Sequence, residues 1–287
     1  MNKEDLKNKI ESFYVQSLNA DISESFIVLD AIKSIIGINL DQINTNLLDW
    51  FSAYISTAEL SVDEPKNFTD TPGAISFYSL ESALLDNDKE GACEAIFYLS
   101  RVSEGTQIFE FLLEFSLKHT EFCFKYIWHI MRLERFFDGK YRLESLNRCA
   151  ELLVEEEYVE YTPSLLDCLS NWEDYLSLNI KDKENVFLCY TIYKSDLIRF
   201  TEIRKLIICR LDRLNKEECP KIDTKIKKEQ IAEGRFWINK YFSNLKIENI
   251  ELNQVVLFDK VRSCLLLSKE DLNVQLLWSH LNEGLCN

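Results

Sequence analysis

The chain has 287 residues, 46% of them hydrophobic and 28% charged, and a formal net charge of −15. These proportions exclude wholesale disorder. Seven glycines and four prolines, against usual shares of roughly 7% and 5%, exclude a β-sandwich, a barrel or a Gly-rich nucleotide-binding fold. What remains is an all-α chain with short polar connections, arranged as an irregular α-α superhelix or as a compact helical array of paired antiparallel helices.

Residues 2–19 place Leu6, Ile10, Phe13, Tyr14 and Leu18 on one helical stripe. Asp21 or Ser23 is suited to cap a second helix through Phe26, Leu29, Ile32 and Ile36, and Gly37 to stop it. Asp41 opens a third run through Leu47, Leu48, Phe51 and Ile55. Residues 61–74 (SVDEPKNFTDTPGA) hold two prolines, a glycine and several polar turn formers, the clearest break in the chain. A loop is the preferred assignment, because the three helices before it make only a thin core of their own. One all-helical domain is therefore expected over residues 1–287, with 1–60 and 75–287 as the alternative sub-division.

Residues 76–85 and 89–102 read as an antiparallel helix pair turning at Asp86-Asn87-Asp88. Gly105 lies near the start of the next helix, Thr120 is suited to cap the one after it, and Asp138-Gly139 closes that pair. Residues 104–137 form the densest apolar run and enclose two of the three histidines, so they are expected to form the middle of the core. Residues 142–157 predict a further helix, and Pro163 suits the first turn of one through Leu166, Leu169, Trp172 and Leu176. Residues 184–197 combine strand-favouring side chains with helical length and are assigned to helix. A stripe of Phe200, Ile203, Ile207, Leu211 and Leu214 ends at Cys219-Pro220. A single basic-faced helix follows over 224–245, then two tail helices over 255–267 and 272–281. Such pairs match the layout of helical-repeat proteins, but no residue signature recurs at a fixed period.

Charge is unevenly distributed. Residues 197–246 carry 13 Lys and Arg against 7 Asp and Glu, while the remainder carries 20 against 41. An acidic body disfavours generic nucleic-acid binding, which needs a positive field at the phosphates. No run of about 18 apolar residues suggests a membrane span, and the opening MNKEDLKNKIESF has no signal-peptide core. The nine cysteines are scattered without a CxxC pair. Together these features predict a cytoplasmic chain with reduced, buried thiols.

Gly-rich phosphate loops, GxSxG, HExxH and paired ExxH segments are all absent from the sequence, so neither a cofactor nor a His-rich metal centre is expected. His119 and Cys123 stand four apart and would share a helix face, the spacing of two metal ligands. No third or fourth ligand has suitable spacing, and Thr120 is placed to separate them, so the pair is a weak candidate only. His129, amid Tyr126, Ile127, Trp128, Ile130 and Met131, is the candidate general base, with Glu134 as a carboxylate to tune it. Cys123 is the candidate nucleophile, although six residues on one helix turn it away from His129. The commoner role of such a histidine is structural. Arg132 and Arg135 are expected to pair with the neighbouring Glu134, and His280 to sit at the edge of the core. Arg204, Lys205, Arg210, Arg213, Lys227, Lys228 and Arg235 form the candidate binding face for phosphate or an acidic partner, although such faces are more often simply solvated.

The leading expectation is a helical protein-interaction module, of adaptor, inhibitor or immunity type. It would meet a protein partner, a basic one by charge complementarity, through a largely acidic surface. The alternative is an all-helical enzyme acting on a hydrophobic small molecule, with His129 as acid/base in an apolar pocket. A second alternative is nucleic-acid or phosphate binding through residues 197–246.

Overall fold

The computed structural model describes residues 1–59, 74–159, 179–180, 183–213, 216–217, 226–267 and 271–284. Their order is α1 (Lys3–Leu18), α2 (Glu24–Ile36), α3 (Thr45–Ile55), α4 (Phe77–Leu85), α5 (Lys89–Val102), α6 (Gly105–His119), α7 (Cys123–Phe136) and α8 (Arg142–Val154). There follow α9 (Lys183–Lys194), α10 (Thr201–Arg213), α11 (Lys228–Glu233), α12 (Arg235–Asn244), α13 (Leu252–Leu267) and α14 (Asp271–Gly284). The only β pairing among the described residues joins Asn179–Ile180 to Lys216–Glu217, antiparallel. The chain is all-α. The predicted break at 61–74, the helix begun by Pro163 and the stop at Cys219-Pro220 lie outside the described residues, apart from Ala74.

Local signals explain most helix ends. The Asn2 side chain accepts from Asp5 N while the Asp5 carboxylate receives the Asn2 N–H, a reciprocal cap that occupies two otherwise unpaired donors of α1. Asn44 caps α3 by accepting from Asn46 N and Asp88 caps α5 by accepting from Gly91 N, each a one-way cap. Ser23 occupies the N-cap position of α2 but makes no side-chain cap bond. Asn87 takes positive φ between α4 and α5, a conformation that asparagine tolerates better than most residues. Residues 184–197 are helical as assigned, within α9. The single helix expected over 224–245 is instead two, because Gly234 at φ 54° and ψ −135° turns the chain between α11 and α12.

The middle of the core lies one step away from where the apolar run at 104–137 places it. Helix α2 is buried at every residue from Ser25 to Ile32, and packs against α1, α3, α7, α12 and α13. Helix α7 bridges this group to α6 and α8, and α13 carries it on to α9 and α14. In a solenoid each repeat touches only its neighbours. Here α2 meets a helix more than two hundred residues away, so the compact helical array is the form adopted. The α4–α5 hairpin packs on α6 and α8 at the outside of this group. Fully enclosed Phe26, Phe51, Phe109, Trp128, Phe187, Phe242, Phe258 and Trp278 fill the interior, each contributing about 1.5–3 kcal/mol or more by leaving water.

Candidate functional site

The titratable groups of α7 converge on α2. In ESFIVLDAIKSII every neighbour of Asp30 toward the core is apolar, so helical spacing carries its carboxylate inward with them; Asp30 is 0% exposed. From α7, His129 Nδ1 lies 2.7 Å and Arg132 Nη1 2.9 Å from Asp30 Oδ2. From α2 itself, Lys33 Nζ lies 2.6 Å from Oδ1, an ion pair within the helix. Arg132 also donates to Ser34 Oγ at 3.3 Å. Asp259 and Arg262, paired at 2.7 Å on α13 and both buried, are part of this junction, and Asp259 acts electrostatically on both Lys33 and His129.

The electrostatics follow from that geometry. Burial pushes the Asp30 carboxyl up. Arg132, Lys33 and the hydrogen bond from His129 outweigh burial and hold it well below the usual carboxylate range. Burial pushes His129 down, further than Asp30 restores it, so the ring is neutral near pH 7. With Asp30 ionised, Nδ1 carries the proton and donates it. Nε2 is buried and meets no hydrogen-bond partner among the described residues. An imidazole oriented by a carboxylate is two parts of a three-part nucleophile–base–carboxylate arrangement. The third part, a hydroxyl or thiol on Nε2, is not present among the described residues, and His129 is only 2% exposed.

The other candidates have different partners. The Cys123 thiol donates to Leu152 O at 3.2 Å and toward Glu156 at 3.7 Å, on the α8 side of α7, whereas His129 faces α2. Burial, with the charge of Glu156, raises that thiol to about 12, the opposite of an activated nucleophile. Glu134 pairs at 3.4 Å with Arg142, and Arg132 pairs with Asp30; this corrects the expected Arg132–Glu134 pairing. Burial nonetheless raises the Glu134 carboxyl above its ordinary value, with Arg142 opposing. His119 ends α6 and Cys123 begins α7, so Thr120 does interrupt them as its spacing suggested. The His119 ring lies 4.6 Å from Phe115 and 6.4 Å from Tyr158. Among the described residues no group of three or more His, Cys, Asp or Glu is placed to hold a metal ion. His280 is buried, 5.9 Å from the Phe187 ring.

The basic face divides in two. Arg204 donates to the carbonyls of Tyr193, Ser195 and Ile198, closing the end of α9. Arg210 donates to the carbonyls of Ser116, Leu117, Thr120 and Glu121, closing the end of α6, with its guanidinium 4.9 Å from the Phe124 ring centre. Terminal carbonyls have no partner within their own helix, which is why cations accumulate there. Lys205 pairs with Glu202 at 3.1 Å. Lys227, Lys228 and Arg235 are exposed on the α11–α12 elbow, with Lys227 over the Trp237 ring and Arg235 over Phe236. The Arg213 side chain lies outside the described residues.

Sequence spacing did not single out Asp30, Lys33, Asp259 or Arg262, nor Glu110. The Glu110 carboxylate is 0% exposed and accepts the main-chain N–H groups of Arg199 and Phe200, just before α10, together with Arg199 Nε at 3.4 Å. It acts as a cap supplied from another helix. The available signal was an isolated acid inside an otherwise apolar helical face, as in FIVLDAI and IFEFLL.

The structure also exposes apolar side chains in acidic surroundings. Tyr78 is 76% exposed, Val102 65% and Leu85 46%, all on the α4–α5 hairpin. Tyr78 and Leu85 are seven residues apart, on the face of α4 turned away from buried Leu80 and Leu84, with Glu81 at its flank. Asp86, Asp88 and Glu90 follow at the turn, and Glu94 on α5. No helix among the described residues is long and apolar enough to cross a membrane. No protein-family model, no curated protein and no solved structure matches this chain.

Proposed function

We propose that this chain is a protein-interaction module whose contact surface is the acidic α4–α5 hairpin, and that its partner offers a basic segment with apolar anchors. The observation that carries the reading is the exposure of Tyr78 and Leu85 on one face of α4, with Glu81 at its flank and Asp86, Asp88 and Glu90 at the turn, and of Val102 at the far end of α5. Large exposed apolar side chains collected on one element mark contact surfaces more often than scattered ones do. Tyrosine is favoured there because it buries a large rigid area and keeps a polar tip. The surrounding carboxylates speed encounter with a cationic partner and repel anionic ones. The Asp30–His129 junction supports the same reading indirectly, since its groups are engaged with one another inside the helix packing.

Affinity capture from the native source, with wild type beside Tyr78→Ala/Leu85→Asp, tests the proposal. The expected partner is captured by wild type, lost with the variant, and binds the purified chain more weakly as salt rises above about 0.1 M. A partner retained equally by the variant, or one whose binding is indifferent to salt, overturns the assignment of this surface.

A further inference from the structure

The charge asymmetry of the chain has a spatial counterpart. Once Arg199, Arg204, Lys205, Arg210, Lys240 and Lys246 are assigned to their carboxylate or main-chain partners, the cations of residues 197–246 whose side chains are described and not so assigned are Lys227, Lys228 and Arg235, all on the α11–α12 elbow. There Lys227, Lys228 and Arg235 are exposed, and among the described residues none of the three pairs with a carboxylate. Between them stand Ile231, 59% exposed, and Phe236, 51% exposed. Glu229 and Glu233 share the elbow, Glu233 paired with Lys240 at 2.7 Å, and four cations against two acids leave it a net basic surface with two apolar anchors, the counterpart of the acidic hairpin with its own apolar side chains.

We propose that a second copy of this chain is a partner for that hairpin: the α11–α12 elbow of one copy docks on the α4–α5 hairpin of the next. The proposal rests on the hairpin being a contact surface, and it names the occupant. Charge complementarity argues for this occupant over a phosphate-bearing one. Residues outside 197–246 carry 20 Lys and Arg against 41 Asp and Glu, so a polyanion at the elbow is repelled by most of the rest of the molecule. A second copy can approach elbow to hairpin, and any encounter is steered toward that orientation. Because the two surfaces differ, the contact is head-to-tail. It leaves an unused elbow at one end and an unused hairpin at the other, so it extends to a ring or a chain.

Two copies of net charge −15 also repel as whole bodies. That repulsion acts over distance and is screened once the Debye length falls to about 10 Å near 0.1 M salt, while contacting charges are screened less. Self-association should therefore be weak at very low salt, strongest at intermediate salt and weak again at high salt. A separate, net-basic partner would instead show a monotonic decline.

Sedimentation velocity over a concentration series at low, intermediate and high salt provides the test. It compares the wild-type chain, an elbow variant (Lys228→Glu/Arg235→Glu) and a hairpin variant (Tyr78→Ala/Leu85→Asp). The elbow substitutions place acids in the first turns of α11 and α12, where helix ends tolerate them, and circular dichroism checks that all three proteins fold. The expected result is a wild-type sedimentation coefficient that rises with concentration at intermediate salt. Each variant alone stays monomeric under the same conditions, and an equimolar mixture forms a dimer and nothing larger, because each variant keeps one working surface. A wild type monomeric at every salt concentration overturns the proposal. If the hairpin variant still loses its captured partner, the hairpin reading survives that outcome. Assembly that persists in both variants overturns the proposal as well. Assembly lost in the elbow variant but unaffected in the hairpin variant overturns docking on the hairpin, while the capture experiment tests separately whether the hairpin meets another partner.

Discussion

Replacing Asp30 by asparagine is the most direct perturbation of the junction between α2 and α7. The carboxylate is 0% exposed and has Lys33 at 2.6 Å, His129 at 2.7 Å and Arg132 at 2.9 Å. Asparagine preserves size and one acceptor but removes the charge that two cations face. Breaking a buried pair by deleting one partner typically costs about 3–5 kcal/mol, because the remaining charge is uncompensated. The Lys33 and Arg132 side chains are 12% and 17% exposed, so both can turn partly toward water. That places the expected loss at the lower end, about 3 kcal/mol. The assay is urea unfolding followed by circular dichroism near pH 7, with Asp49→Asn as the control. Asp49 pairs with Lys9 at 3.0 Å on the surface, with side chains 53% and 36% exposed, and its loss should stay below about 1 kcal/mol. If Asp30→Asn lost no more than Asp49→Asn, the carboxylate would not be what holds the junction.

His129 should impose a pH dependence. Its folded-state pKa lies below the ordinary 6.5, so between those two values the unfolded chain binds a proton that the native chain does not, and stability falls as pH drops below about 6.5, by up to about 1.4 kcal/mol per pH unit. Glu134, raised above 4.5, has the opposite sign: the native chain takes up its proton first, which adds stability as pH falls through the raised value. His129→Gln should therefore flatten the loss between pH 6.5 and 5.5 in urea titrations, and an unchanged slope would refute the assignment. Arg210→Met should cost about 1–3 kcal/mol by leaving carbonyls at the end of α6 unpaired; a neutral result would show that the guanidinium is dispensable there. Cys123, Cys149 and Cys264 are buried with raised thiol pKa values. Mass-spectrometric mapping of iodoacetamide labelling at pH 8 should find all three protected until the protein is unfolded in urea, and fast native labelling of Cys123 would restore it as a nucleophile.

Helices were legible wherever one stripe faced one neighbour. Leu6, Ile10, Phe13 and Tyr14 are the buried face of α1, and Leu47, Leu48, Phe51 and Ile55 that of α3. Helix α2 was harder to read because it is enclosed on nearly all sides. Its expected stripe of Phe26, Leu29, Ile32 and Ile36 is correct but incomplete, and the missing members include Asp30. Residues 224–245 read as one helix because periodicity continues through Gly234, whose positive φ is a property of the fold and not of the stripe. The same limit applies to the site. Spacing could place His129 on a helix and separate it from Cys123, but its partner lies ninety-nine residues away on α2. Arg204 and Arg210 likewise looked like free surface charge because their carbonyl partners belong to α6 and to the chain around the end of α9. Pairings between distant elements leave no periodic trace.

The proposed contacts lie on α4–α5 and, between copies, on α11–α12, whereas the charge buried between α2 and α7 is engaged within the fold. Hydrogen–deuterium exchange on the chain alone and in its assembled or partner-bound form separates these roles in one measurement. Slowed exchange is expected across residues 77–102 on complex formation, and also across 228–244 in an assembly of copies, with Cys123–Phe136 already protected and unchanged. Slowing confined to α7, with the hairpin unaffected, would contradict this expectation.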